Sequence, residues 1–115
     1  MILVIDDDEV MVECMKRALR AYEVRSFSNA IEAMAEIARG ELPDLIFLDV
    51  MLDGPDGFTF LNELVSYTDT AQIPVVIVSS LDFEGKDLTS YGVVGVLAKD
   101  EMTPQEIRGY AEKYS

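Results

Sequence analysis

Asp6, Asp7, Asp8, Asp49, Ser79 and Lys99 are the side chains in this sequence best equipped to do chemistry together, and they stand at the ends of four short apolar runs. Crowded carboxylates repel. A pair about 4 Å apart costs roughly 4 kcal/mol at an effective dielectric of about 20, so such a group must be protonated, spread apart or bridged by a cation. Mg²⁺ is the simplest bridge, because it prefers oxygen ligands and is usually bound by one or two carboxylates together with phosphate oxygens. With Asp49 as oxygen nucleophile, Mg²⁺ and Lys99 neutralising phosphoryl oxygens and the Ser79 hydroxyl donating a hydrogen bond, the parts for in-line phosphoryl transfer to a carboxylate are present. No Gly-x4-Gly-Lys-Ser/Thr loop occurs, so ATP bound by this domain is not the expected donor.

These residues act together only if the fold gathers the four run ends. The runs are Ile2–Ile5, Leu45–Leu48, Pro74–Val78 and Val93–Ala98, and a weaker one lies at Val24–Phe27. Between them the spacing is helical. Val10, Met11, Cys14, Met15, Ala18 and Leu19 share one face from Glu9 to about Ala21, which makes the Cys14 thiol a packing group. Ser28 is a candidate N-cap for a helix burying Ile31, Met34 and Ile37 and stopping at Gly40. Asp56-Gly57 opens a third helix with Phe58, Leu61, Leu64 and Val65 inward, and Asp82 to Tyr91 gives only a short helical signal broken by Gly85. Thr103-Pro104-Gln105-Glu106 is a capping box with proline at the first helical position, heading a helix that buries Ile107, Tyr110, Ala111 and Tyr114.

Alternation of this kind predicts an α/β fold with a doubly wound five-stranded parallel sheet, in which all strand C-termini share one edge. Ligands bind at that edge in open α/β sheets. The chain has 115 residues, with no internal repeat or linker, and is read as one domain over 1–115. His is absent and Cys14 is the only cysteine, which excludes disulfides, Cys/His zinc sites and histidine acid-base chemistry. No basic leader and no apolar span near the roughly 20 residues of a membrane helix is present, so a soluble cytoplasmic protein is expected. A net charge of −13 argues against nucleic acid and anionic membranes as partners, and favours cations or basic protein surfaces.

Ile2-Leu3-Val4-Ile5-Asp6-Asp7-Asp8, Leu45-Ile46-Phe47-Leu48-Asp49, Asp56-Gly57, Pro74-Val75-Val76-Ile77-Val78-Ser79 and Gly95-Val96-Leu97-Ala98-Lys99 occur in order and at spacings that together resemble the receiver domain of two-component response regulators. The resemblance spans nearly the whole chain. It implies the flavodoxin-like (βα)5 topology with strand order 2-1-3-4-5. It also implies that Asp49 accepts a phosphoryl group from a phosphohistidine on a histidine kinase or histidine phosphotransfer protein. Asp7, Asp49 and the Met51 carbonyl would ligate Mg²⁺, with Asp6 acting mainly through an intervening water. Ser79 would be the switch hydroxyl, with Ser80 as the fallback one position on, and Lys99 the phosphate-pairing lysine. Such a domain catalyses its own phosphorylation and slow dephosphorylation, and signals to a downstream protein that these residues do not specify. A homodimer is compatible with it.

Departures from the family pattern have physical consequences. Proline four residues after the acceptor and directly after the lysine is replaced by Asp53 and Asp100, which add negative charge near a phosphate site. A cis bond costs roughly 2.5 to 4 kcal/mol before a residue other than proline, so Lys99-Asp100 is expected trans and Lys99 differently aimed. Val96 stands where an aromatic switch residue is usual, and the segment from Ser79 to Gly92 is short. These departures motivate a second reading, an interaction module indifferent to phosphorylation. A third is a small haloacid-dehalogenase-like phosphatase using Asp6 and Asp8 as nucleophile and general acid, a reading that leaves Asp49 without a role. Met51 and Leu81 are apolar where many receivers carry polar groups that orient the hydrolytic water. The Asp49 phosphate is therefore expected to be long-lived and to decay faster in Met51→Asn, as radiolabel loss would show; equal lifetimes would refute this.

Overall fold

The computed structural model describes residues 1–49, 57–80 and 88–115. Five strands, β1 (Ile2–Ile5), β2 (Val24–Phe27), β3 (Leu45–Leu48), β4 (Val75–Ser79) and β5 (Val93–Ala98), form one parallel sheet in the order β2-β1-β3-β4-β5. Among the described residues, four helices connect or follow them: α1 (Glu9–Ala18), α2 (Ala30–Ala38), α3 (Gly57–Val65) and α4 (Pro104–Tyr114). Of the short helical segment expected before β5, the described part is a 3-10 turn at Thr89–Tyr91. Gly85 and Asp82 lie outside the described residues.

The apolar runs are continuous because the sheet is covered on both faces. Leu3, Ile5, Ile46, Leu48, Val75 and Ile77 point into the core beneath α2 and α3. Their neighbours Ile2, Val4, Leu45, Phe47, Val76 and Val78 point to the other core, beneath α1 and α4. The strand period of two sends alternate side chains to opposite faces, and in β1, β3 and β4 both sets are buried. β5 breaks the alternation. A register shift at Val75/Val76 pairs Val75 with Val93 but Val76 with Gly95, so Val93 joins one core and Leu97 the other. Gly95 then faces Tyr110 so closely that a Cβ there would overlap its hydroxyl. Val96, on the opposite face from Leu97, is 41% exposed.

The helices rotate away from the simple apolar count. On α1 the inward residues are Met15, Ala18 and Leu19 with Val12 beside them, whereas Cys14 is exposed and Val10 is 74% exposed. At about 100° per residue, Cys14 and Val10 sit roughly 100° and 140° around the helix from Met15, too far to reach the sheet. The thiol is thus not a packing group. On α2 the buried residues are Ala30, Ala33 and Ile37, Met34 is half-buried, and Ile31 is 63% exposed. Two alanines let α2 lie close to the sheet, and that orientation turns Ile31 outward. On α3, Leu61 and Leu64 are buried as expected and Phe60 joins them, while Val65 is half-buried. The side chain of Phe58 is outside those described. On α4, Ile107 and Ala111 are buried, and Tyr110 and Tyr114 stack at 6.5 Å, half-buried, against the same core.

The caps follow local chemistry. Thr103 and Glu106 form the expected capping box, and Gly40 follows α2 at φ +99, a left-handed conformation that glycine adopts at little steric cost. The N-cap of α2 is Asn29, not Ser28: the Asn29 side chain accepts the Glu32 amide at 2.9 Å. Asn29→Ala is therefore expected to cost about 1 kcal/mol and Ser28→Ala well under half of that, a difference that urea denaturation will resolve.

Candidate functional site

Parallel pairing gathers the site. Ile5 is in register with Leu48, and the Asp49 amide donates to the Ile5 carbonyl at 2.9 Å, so Asp6 and Asp49 leave neighbouring strands side by side. Ser79 is in register with Ala98, and the Lys99 amide donates to the Ser79 carbonyl at 3.0 Å. Four strand ends thus meet at one edge. Ser79 is fully buried at the end of β4, whereas Ser80 is exposed one residue beyond it.

Asp6, Asp7 and Asp49 each present a carboxylate oxygen, and these lie within 4.8 Å of one another. Asp6 and Asp49 are 4% and 3% exposed, and Asp7 faces solvent. Lys99 reaches across two strands: its Nζ donates to Asp49 Oδ2 at 2.9 Å and to Asp6 Oδ1 at 3.3 Å. The Lys99-Asp100 bond is trans. The lysine nevertheless reaches the Asp49 carboxylate, since the β4-β5 register carries its backbone to that edge.

Asp8 does something else. Its side chain caps α1, accepting the amides of Val10 and Met11 at 3.0 and 3.4 Å, while the Asp8 amide donates to Asp6 Oδ1 at 2.9 Å. The acidic triplet therefore splits into a buried cluster member, an exposed one and a helix cap. The helical period beginning at Glu9 is the sequence signal for that third role. Asp8 as general acid of a phosphatase is not favoured, because its carboxylate is occupied at the helix end. Met51, Asp53 and Leu81 lie outside the described residues.

The electrostatics leave room for a cation. Burial, with the nearby Asp49 charge adding to it, raises the Asp6 carboxyl above its usual range despite the amide of Asp8 and the ammonium of Lys99. For Lys99, burial acts to lower the value, but the hydrogen bonds and charges of Asp49 and Asp6 outweigh it and raise the ammonium above its ordinary value. Among the described residues, the Lys99 ammonium pairs with Asp6 and Asp49, and the Asp7 carboxylate lies beside them. The oxygen-only donor set, its spacing and the uncompensated charge fit a hard divalent ion held by Asp6, Asp7 and Asp49.

A doubly wound sheet with an acidic pocket at its carboxyl edge and a lysine drawn in from the last strand defines the class. Residues 2–112 match the family described as Response regulator receiver domain, and the chain belongs to that family. It is 44% identical over 86 residues to the response regulator PleD of Caulobacter vibrioides, an alignment covering 73% of this chain and 19% of PleD. The chain thus spans under a fifth of that relative's length. Among solved structures, a response regulator from Chloroflexus aurantiacus superposes with a TM-score of 0.84 at 29% identity, covering 98% of this chain and 94% of that one. The phosphorylated cyanobacterial phytochrome response regulator RcpA gives 0.82 at 27% identity, covering 98% and 91%. Phosphoryl acceptance and Mg²⁺ binding are general to this family. No described helix is long and apolar enough to cross a membrane.

The raised value of Asp6 means that the folded chain holds the neutral acid more tightly than the unfolded chain does. Its contribution is favourable below the unfolded value and lost as pH rises through the folded one, leaving a cost at neutral pH. Asp6→Asn is expected to melt no lower than the natural protein in EDTA. Mg²⁺ at a hundred times its Kd should stabilise the natural protein by about 2.7 kcal/mol and the variant by less. The Lys99 contribution, present below the ordinary lysine value, should fade as pH rises through its raised folded one. Calorimetric melts with and without Mg²⁺ test these signs.

Proposed function

We propose that this domain is a phosphorylatable receiver in which Asp49 accepts a phosphoryl group from a phosphohistidine of a histidine kinase or histidine phosphotransfer protein. The observation that carries the reading is the approach of Lys99 Nζ to Asp49 Oδ2 at 2.9 Å, with Asp6 and Asp7 beside them. An Asp49 oxygen forms the new bond to phosphorus as the phosphorus–nitrogen bond of the donor breaks, and the imidazole leaves with that electron pair and takes up a proton. Lys99, already poised on Asp49, pairs with the transferred group, and the Ser79 hydroxyl turns to donate to it. Asp6, Asp7, Asp49 and the Met51 carbonyl would hold Mg²⁺, which supplies positive charge against the phosphoryl oxygens. The phosphorylated RcpA supports the chemistry by analogy. A cytoplasmic location follows from such a donor.

The second reading, partner binding without regard to phosphorylation, is favoured by Val96. This aliphatic, half-exposed side chain cannot act as an aromatic ring that swings inward when Ser79 moves. Intact-mass measurement after incubation with phosphoramidate and Mg²⁺ distinguishes the readings. One phosphoryl adduct is expected, absent from Asp49→Ala and from EDTA-treated protein. No adduct would favour the second reading, and phosphate release dependent on Asp6 without an adduct would revive a phosphatase.

A further inference from the structure

The face of α2 and α3 turned away from the sheet is not used by the phosphoryl site. Two adjoining hollows of about 330 Å³ and 360 Å³ run between the helices, sharing Met34, Ala38 and Glu63 as lining. Neither contains Asp6, Asp7, Asp49 or Lys99. Ile31 lines the first hollow at 63% exposure and Tyr67 the second at 58%, so large apolar groups face water at both ends of one groove.

We propose that this groove docks a basic amphipathic helix of a partner protein. Its charge is one-sided. The charged residues lining the two hollows are Glu63 and Asp69, with no lysine or arginine among them, and Glu32 lies instead beside Asp6 and Asp7. Glu36 is taken up by Arg25 and Arg39, at 2.6 and 2.9 Å. The side chains of Glu63, at the middle of the groove, and Asp69, in the second hollow, make no ion pair or hydrogen bond with a described residue. An apolar floor with unpaired carboxylates at its centre and end is complementary to apolar anchors flanked by lysine or arginine. The length agrees: the nine residues of α2 span about 14 Å, room for anchors at i, i+4 and i+7. A second copy docked through the same groove is the wrong occupant, since it would bring Glu63 and Asp69 against their own counterparts.

The test is a nitrogen-15 NMR titration of the whole chain with a short synthetic helical peptide bearing leucines at i, i+4, i+7 and i+11 and lysines on both flanks. Shift changes are expected to concentrate on α2, α3 and the residues just after them. Glu63→Lys and Ile31→Ser should each weaken binding by about tenfold or more. Both positions are exposed, and the variant spectra report whether the fold is kept. A composition-matched scrambled peptide should bind at least about tenfold more weakly, and added salt should weaken the ordered one. Absence of binding, shifts spread over the acidic surface equally by the scrambled peptide, or equal binding of a glutamate-flanked version would each overturn the proposal. So would a concentration-dependent dimer in sedimentation that Ile31→Ser disperses, which would assign the groove to a second copy.

Discussion

Parallel strand pairing is the constraint on which the rest depends. Each strand must be re-entered from the same end, so every connection crosses a face of the sheet and every strand's carboxyl end reaches the same edge. Covering both faces demands runs such as Ile2–Ile5 and Leu45–Leu48, whose four residues are all buried. The same geometry leaves Asp6, Asp49, Ser79 and Lys99 at the rim without any long-range instruction beyond register. Fold and site are consequences of one hydrogen-bonding pattern.

The rim is electrostatically strained in a useful sense. Among the described residues, two nearly buried carboxylates and a third at the surface form a group with Lys99, and burial of such charges costs free energy that the pairing offsets. The sheet holds it because Asp6 and Asp49 continue paired strands, and because Lys99 is drawn in by both. Such a group gains most from whatever brings compensating charge, and a divalent ion does so. The replacement of proline by Asp100 does not prevent this, since the β4-β5 pairing delivers the lysine with a trans bond.

Helix orientation shows where local reading loses its grip. An apolar count places Val10, Cys14 and Ile31 inward, yet all three face water. The docked face of a helix is set by the sheet it meets: Ala30 and Ala33 fit beneath α2 more closely than Ile31 could, and the larger residue is left outside. Phe60, two residues from the expected first inward position, is buried between α3 and the sheet for the same reason. Ile31, with Tyr67, gives the α2 side of the molecule an apolar surface separate from the acidic site and bordered by Glu63.

Strand positions, their parallel arrangement, the capping box at Thr103 and the residues of the edge cluster were all legible in the chain, because β-branched runs, turn residues and caps are short-range signals. Burial on both faces, too, was implicit in runs that do not alternate. The Asp8 cap of α1 is local, two to three residues long, but tertiary structure alone set Asp6 and Asp7 beside Asp49, through the register of β1 with β3. It also decided that the β5 bulge sends Val93 and Leu97 to opposite cores. The choice of Asn29 over Ser28 as the cap of α2 is local, a contact three residues long made by one of two adjacent capping side chains. Register and bulge depend instead on how one strand meets another, a relation between residues far apart in the chain that no local window contains.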